Sequence, residues 1–215
     1  MIHVYGVVEE LEELPPVRGL GDAPLERRRV DGLEVVLSRG DEPVSAEVSR
    51  EDVLRHAEVV EELRGRSRAV LPAQLGRAFE SDDELDAALR AQARQLARGL
   101  ERVRGCVEFG LRIVMTERPP RPAGDSGADY MHARLEEVRE QDRLVERLHE
   151  PLARLAREAT LRRSAEGIEA AYLVPEEDAA AFRDAAARVE ASPDATVVCT
   201  GPWPPYSFAS AEGAA

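Results

Sequence analysis

The apolar positions of this chain change period several times, and each change predicts an element. The run IHVYGVV is β-branched and aromatic and predicts a first strand. ELEELPPVRGLGDAP, punctuated by Pro15, Pro16, Gly19 and Gly21, reads as a loop, and LEVVLS as a second strand entered through the Asp31-Gly32 turn. Ser49 suits an N-cap for a helix with Val53, Ala57, Val60 and Leu63 or Arg64 on its apolar side and His56 beside that side. RAVLPAQLGRAF is extended again, broken at Pro72 and Gly76. Ser81 and Glu84 then frame a capping box, and Leu85, Ala88, Leu89, Gln92, Leu96 and Leu100 mark the face of a second helix that should pack on a sheet.

CVEFGLRIVMT alternates like a half-buried strand, with Val107, Phe109, Leu111 and Ile113 to one side and Glu108 and Arg112 to the other. ERPPRPAGDSGAD is loop-like. From Ala128 to about Thr160 the stripe Met131, Leu135, Val138, Val145, Leu148, Leu152 and Leu155 predicts one long helix, expected to lie on the chain's own sheet, with docking on a partner helix as the alternative. Pro151 removes a backbone donor and predicts a kink or break. TLRRSAEGIEAAYLVP reads as two strands joined through Glu166-Gly167, EEDAAAFRDAAARVEA as a helix with Phe182 and Val189 inward that stops at Ser192-Pro193, and ATVVCTG as a last strand. From Cys106 onward the order is strand, helix, strand, strand, helix, strand, the ferredoxin-like βαββαβ arrangement. The predicted fold class is therefore α+β in two domains: an N-terminal α+β domain over 1–104 and a ferredoxin-like domain over 105–215, with a long helix and a Pro-rich aromatic tail. In that topology the first and last strands are antiparallel neighbours, which would set Cys106 across from Cys199 as nearby reduced thiols.

Composition narrows the function. The 215 residues are 43% apolar and 33% charged, as in a charged soluble protein. No apolar run approaches the roughly 18 residues of a membrane span, and MIHVYGVVEELEELPP has neither a basic start nor a cleavage site, so a cytoplasmic location is expected. A net charge of -13 argues against a nucleic-acid partner. Every basic residue is Arg, and the run Arg27-Arg28-Arg29 reads as solvated surface. No Walker loop, GxGxxG, GxSxG or HExxH is present, His3, His56, His132 and His149 are scattered, and two cysteines suit neither a disulfide framework nor a zinc site. No catalytic residue, metal or cofactor is assigned, the chain is not expected to be an enzyme, and binding or assembly is favoured over catalysis.

Three of the nine aromatics (one Trp, four Tyr and four Phe in all) fall in TGPWPPYSF: Trp203, Tyr206 and Phe208. Residues before proline are pushed to extended backbone, so this stretch should leave the last strand as a stiff extended arm. Its rings either plug a gap in the fold, the expected role, or are displayed as partner-binding residues. Exposure of Trp203 decides between the two.

The same TGPWPPYSF, from Thr200 to Phe208, is the most specific of six segments that occur in a familiar order. The others are VYG from Val4 to Gly6, the helix beginning around His56, VLPAQLGRAFES from Val70 to Ser81, GCVEFGLRI from Gly105 to Ile113, and AAYLVP from Ala170 to Pro175. Together they resemble the gas vesicle protein family GvpF/GvpL over nearly the whole chain. One departure is local: where that family commonly has a basic residue and Phe before a glycine, this chain has Gln74 and Leu75 before Gly76. The resemblance implies a non-enzymatic accessory or minor structural protein of gas vesicle organization, found in the cytoplasm and at the gas vesicle. It also implies association with the small hydrophobic shell protein GvpA and with other gas vesicle accessory proteins. The alternatives are a ferredoxin-like small-molecule-sensing regulatory module and, more remotely, a hydrolase with His or Cys beside a carboxylate.

Overall fold

The computed structural model describes residues 1–40, 49–114, 127–164, 167–192 and 195–209. These divide into two compact units, one formed by Met1–Val107 together with the tail from Trp203, the other by Glu108–Pro202.

The first unit is built on the sheet order β2-β3-β1-β4, with β1 at Ile2–Glu9, β2 at Leu25–Val30, β3 at Leu33–Arg39 and β4 at Ala69–Pro72. A two-residue strand, β5 (Ala78–Phe79), also pairs with β1. All these pairings are antiparallel. The strand β2 is absent from the expectations above. It forms a hairpin with β3 through Asp31 and Gly32, both at positive φ as a two-residue hairpin turn demands. Its sequence LERRRV hides it, because an edge strand guarded by charge lacks an apolar alternation. The three arginines are also more than solvated surface. Arg27 and Arg29 reach Glu34 on the neighbouring strand, whereas Arg28 forks onto Asp86 at 2.6 and 3.0 Å.

Helix α1 (Arg50–Arg66) starts with a complete capping box between Ser49 and Asp52. It buries His56, Val59, Val60 and Leu63 against the sheet face that carries Tyr5, Val36 and Val70. That face is rotated from the expected one, and Val53 and Leu54 are left exposed. Helix α2 (Asp82–Val103) has Ser81 as N-cap, accepting from the Glu84 amide, while the Glu84 carboxylate accepts from Glu80 instead of Ser81. It covers the opposite sheet face, where Gly99 leaves room for the Leu71 side chain. With both faces covered, β1 is buried almost throughout.

The second unit holds the sheet order β7-β8-β6-β9, with β6 at Cys106–Val114, β7 at Glu158–Ser164, β8 at Gly167–Pro175 and β9 at Thr196–Trp203. The pair β7 and β8 is antiparallel. Gly110 lies beside the Thr200 side chain and Gly201 beside the backbone of Glu108 and Phe109, so Cys199 faces the Leu111 region of β6. Cys106 lies well along that strand from this point, and the expected facing of the two thiols is not realised; neither cysteine forms a disulfide. Gly201, at φ +122, is required here, since a Cβ would collide with the Glu108 carbonyl.

The expected continuous helix is three pieces: α3 (Gly127–Leu144), a π-helical turn at Val145–His149, and α4 (Glu150–Ala153). Pro151 accounts for the break. It offers no N–H to the Arg147 carbonyl and crowds it, and the wider π-turn accommodates both. Only the later part of the stripe is core: Val145, Leu148 and Leu152 are buried, while Met131, Leu135, Val138 and Leu155 are exposed. The chain turns into β7 at Glu158, just short of the helix end expected near Thr160. Helix α5 (Ala179–Glu190) buries Phe182 and Val189 as expected. Phe182 stacks on Phe109 at 4.7 Å and tilts against Tyr172 at 5.1 Å. Most of the ERPPRPAGDSGAD loop, with Glu166 and Pro193, lies outside the described residues.

Candidate interaction site: the aromatic tail and its groove

The three tail aromatics do not act alike. Phe208 is buried at 1% exposure, with the Arg102 guanidinium 5.4 Å from its ring centroid, whereas Trp203 is 52% and Tyr206 37% exposed. The expected stiff arm is also shorter than the motif. Pro204 and Pro205 are buried, and the chain then coils into a 3-10 turn at Tyr206–Phe208, closed by the Phe208 amide on the Pro205 carbonyl at 3.2 Å. Coiling brings Phe208 inward as a plug and leaves Trp203 and Tyr206 outward.

Tyr206 lines a groove of about 310 Å³ whose apolar floor comes from Val7, Leu71, Phe79, Leu85 and Leu89. Its origin is the pairing of β1, which is joined by β4 at Gly6–Glu9 and by β5 at Ile2–His3. Between those points residues 73–77 loop away, pinned where Ala73 N–H donates to Tyr5 O at 2.8 Å and Val4 N–H donates to Arg77 O at 3.0 Å. Gln74 and Arg77 from this loop, and Gln92 from α2, give the rim its polarity. Leu75 packs against the core, and the Arg77 guanidinium lies 5.6 Å from the centre of the Phe79 ring. A cation and an aromatic thus still meet beside Gly76, supplied by residues after the glycine. Burial, with Glu61 nearby, pushes the Tyr206 hydroxyl up to about 12, so it stays a neutral donor.

The groups with catalytic potential are placed differently. His56 lies in the first core with Nε2 2.9 Å from the Ala73 carbonyl, and His149 in the second with Nδ1 2.8 Å from the Tyr172 hydroxyl. Burial lowers the pKa of both, which favours neutral, packed imidazoles. Burial and Glu190 push the Cys199 thiol up to about 11, away from thiolate chemistry. Among the described residues, no group of three or more His, Cys, Asp or Glu is arranged to hold a metal ion.

The sequence model of the family described as gas vesicle synthesis protein GvpL/GvpF matches residues 1–210. The chain belongs to this family. It is 31% identical to gas vesicle protein F1 of Halobacterium salinarum, over 96% of this chain and 92% of that one. It is also 31% identical to gas vesicle protein L of a Streptomyces species, over 65% of this chain and 62% of that one. The crystal structure of GvpF from Anabaena is similar in fold, with a TM-score of 0.82 at 16% identity over 97% of this chain and 95% of the other. GvpF from Microcystis aeruginosa gives 0.80 at 18% identity, over 97% and 98%. As a GvpL/GvpF protein the chain is a gas vesicle protein involved in gas vesicle formation. Among its described residues, no helix is long and apolar enough to cross a membrane.

Proposed function

We propose that this GvpL/GvpF protein is a cytoplasmic, non-enzymatic accessory or minor structural protein that binds the hydrophobic shell protein GvpA and assists its assembly into vesicles. Trp203 and Tyr206 make the contact, and Phe208 holds their segment in place. The observation that carries this reading is the exposure of Trp203, a large ring left in water on a tail whose other anchor residues are buried. The groove beside Tyr206 offers an apolar floor to a subunit that water disfavours, and a net charge of -13 keeps such a carrier from associating with itself. The second unit is read as a ferredoxin-like domain, supported by its element order and by the strand order β7-β8-β6-β9.

The test is co-purification of the shell protein with the full chain and with Trp203→Ala. An exposed ring contributes little to the fold, so the substitution should change unfolding stability by less than about 1 kcal/mol. It should weaken shell-protein capture about tenfold or more, as loss of an aromatic anchor does. Undiminished capture by Trp203→Ala combined with Tyr206→Ala removes the tail from the interface. If the unaltered chain captures nothing, direct binding is wrong.

A further inference from the structure

A second surface of the first unit lies on α2, apart from the apolar groove floor. Arg90, Arg94, Arg98 and Arg102 recur every fourth residue and line one groove of about 700 Å³. Arg90 is drawn to Asp86 at 3.5 Å and Asp31 at 3.7 Å, and Arg102 lies over the Phe208 ring. Between them, Arg94 and Arg98 are exposed and make no ion pair among the described residues. Like charges four apart on a helix repel one another. Arginines on α1 and α3 pair with a carboxylate three or four residues away, as in Arg64 with Glu61, Arg66 with Glu62 and Arg143 with Glu140, whereas Glu101, three residues after Arg98, lines a different groove. Among the described residues, no Asp or Glu lines this groove.

We infer that this arginine ladder is a docking site for an acidic helix of a partner protein, one whose carboxylates also recur every fourth residue. Four residues of helix rise about 6 Å, so the axial spacing of the two ladders matches. Each guanidinium can fork onto a carboxylate. Ala91 and Gly99 keep the surface low between the arginines, and Phe208 and Ala209 bound one end. Complementary charge supplies the specificity, since this is a cationic strip on a chain of net charge -13. A long polyanion would meet that net charge as well as the strip, which disfavours nucleic acid.

Fluorescence anisotropy of the full chain tests the assignment with a labelled helical peptide that carries Glu at every fourth position over four turns. The control peptide has the same composition with its Glu residues spread around the helix. The matched peptide should bind about tenfold or more tighter than the control. Arg94→Gln with Arg98→Gln should lose that advantage while the melting temperature is retained, because Gln forms helix about as well as Arg at exposed positions. Arg94→Glu with Arg98→Glu should instead favour the peptide in which Lys replaces Glu. Equal binding of the two acidic peptides, unchanged binding by the Gln variant, no peptide binding, or tighter binding of a short DNA duplex or of phosphatidylserine vesicles would each overturn it.

Discussion

The two compact units bury the same pair of residue types, a strand tyrosine beneath a helix histidine, and use them differently. In the first, the Tyr5 hydroxyl is a polar hub: it accepts from the Leu20 amide at 2.7 Å and shares a hydrogen bond with Ser38 at 2.8 Å. Gly19 is needed beside it because a Cβ there would collide with both Tyr5 and Ser38. The hub therefore fastens an irregular loop to the sheet, and the His56 ring is tilted against Tyr5 at 5.3 Å. In the second unit, Tyr172 belongs to an aromatic cluster with Phe182 and Phe109, and its hydroxyl meets His149 Nδ1 at 2.8 Å. Polar groups specify one core and ring packing the other.

Removing a ring should therefore produce the largest effect, in the second unit. Phe182 is fully buried, so Phe182→Ala should cost about 3–5 kcal/mol of stability. Phe182→Leu refills most of the space without the stack, and should keep a deficit of about 0.5–1.5 kcal/mol beyond lost area. Denaturant titration with hydrogen exchange measures the loss and assigns it to β6, β8 and α5. A Leu variant as stable as the parent would show that volume, and not stacking, holds this core.

Removing hydroxyls should separate the units in the opposite sense. Tyr5→Phe leaves the buried Leu20 amide and Ser38 without that oxygen, at about 1–3 kcal/mol. Tyr172→Phe removes one hydrogen bond, at about 1 kcal/mol. Urea midpoints of the two variants make the comparison, and a larger loss for Tyr172→Phe would reverse the roles given to the two tyrosines.

Much of this was legible in the sequence, in proportion to how far each element's fate depends on its own residues. β1, α2, β8 and α5 follow from local apolar pattern and capping. β2 does not, because its strand state comes from pairing with β3 while half of its side chains are arginine, held by Glu34 of β3 and Asp86 of α2. The apolar stripe of α3 predicted a helix correctly but could not say which turns meet a core, since burial belongs to the neighbours and not to the helix. In the tail, sequence alone marked Trp203, Tyr206 and Phe208 as a set. Only the structure divides them: Trp203 is exposed at the end of β9, and the 3-10 turn sets Phe208 inward as a plug while Tyr206 stays exposed. The arginine ladder on α2 is no part of the sequence reading, because which of its arginines find acid depends on the other segments that surround the helix.

Acidification should give the smallest effect and reach both units. A free imidazole titrates near pH 6.5, and burial holds His56 and His149 below that value, with Glu150 partly offsetting and Arg163 reinforcing the shift at His149. The stabilising neutral state is fully present above the unfolded value. As pH falls from about 6.5 toward the lower folded pKa values, the unfolded chain binds more protons and stability declines. Carboxylates held low by arginine, such as Glu9 beside Arg104, lose their contribution only at more acid pH, near and below about 4. Urea titrations at about pH 7.5, 6 and 5 should thus show a decline that His56→Gln and His149→Gln each partly flatten. Hydrogen exchange can assign each flattened portion, to α1 and β1 for His56 and to the π-turn and β8 for His149. Flattening by one variant alone would mean that only that unit relies on a neutral histidine, and stability that rises on acidification in this window would remove both histidines from the account.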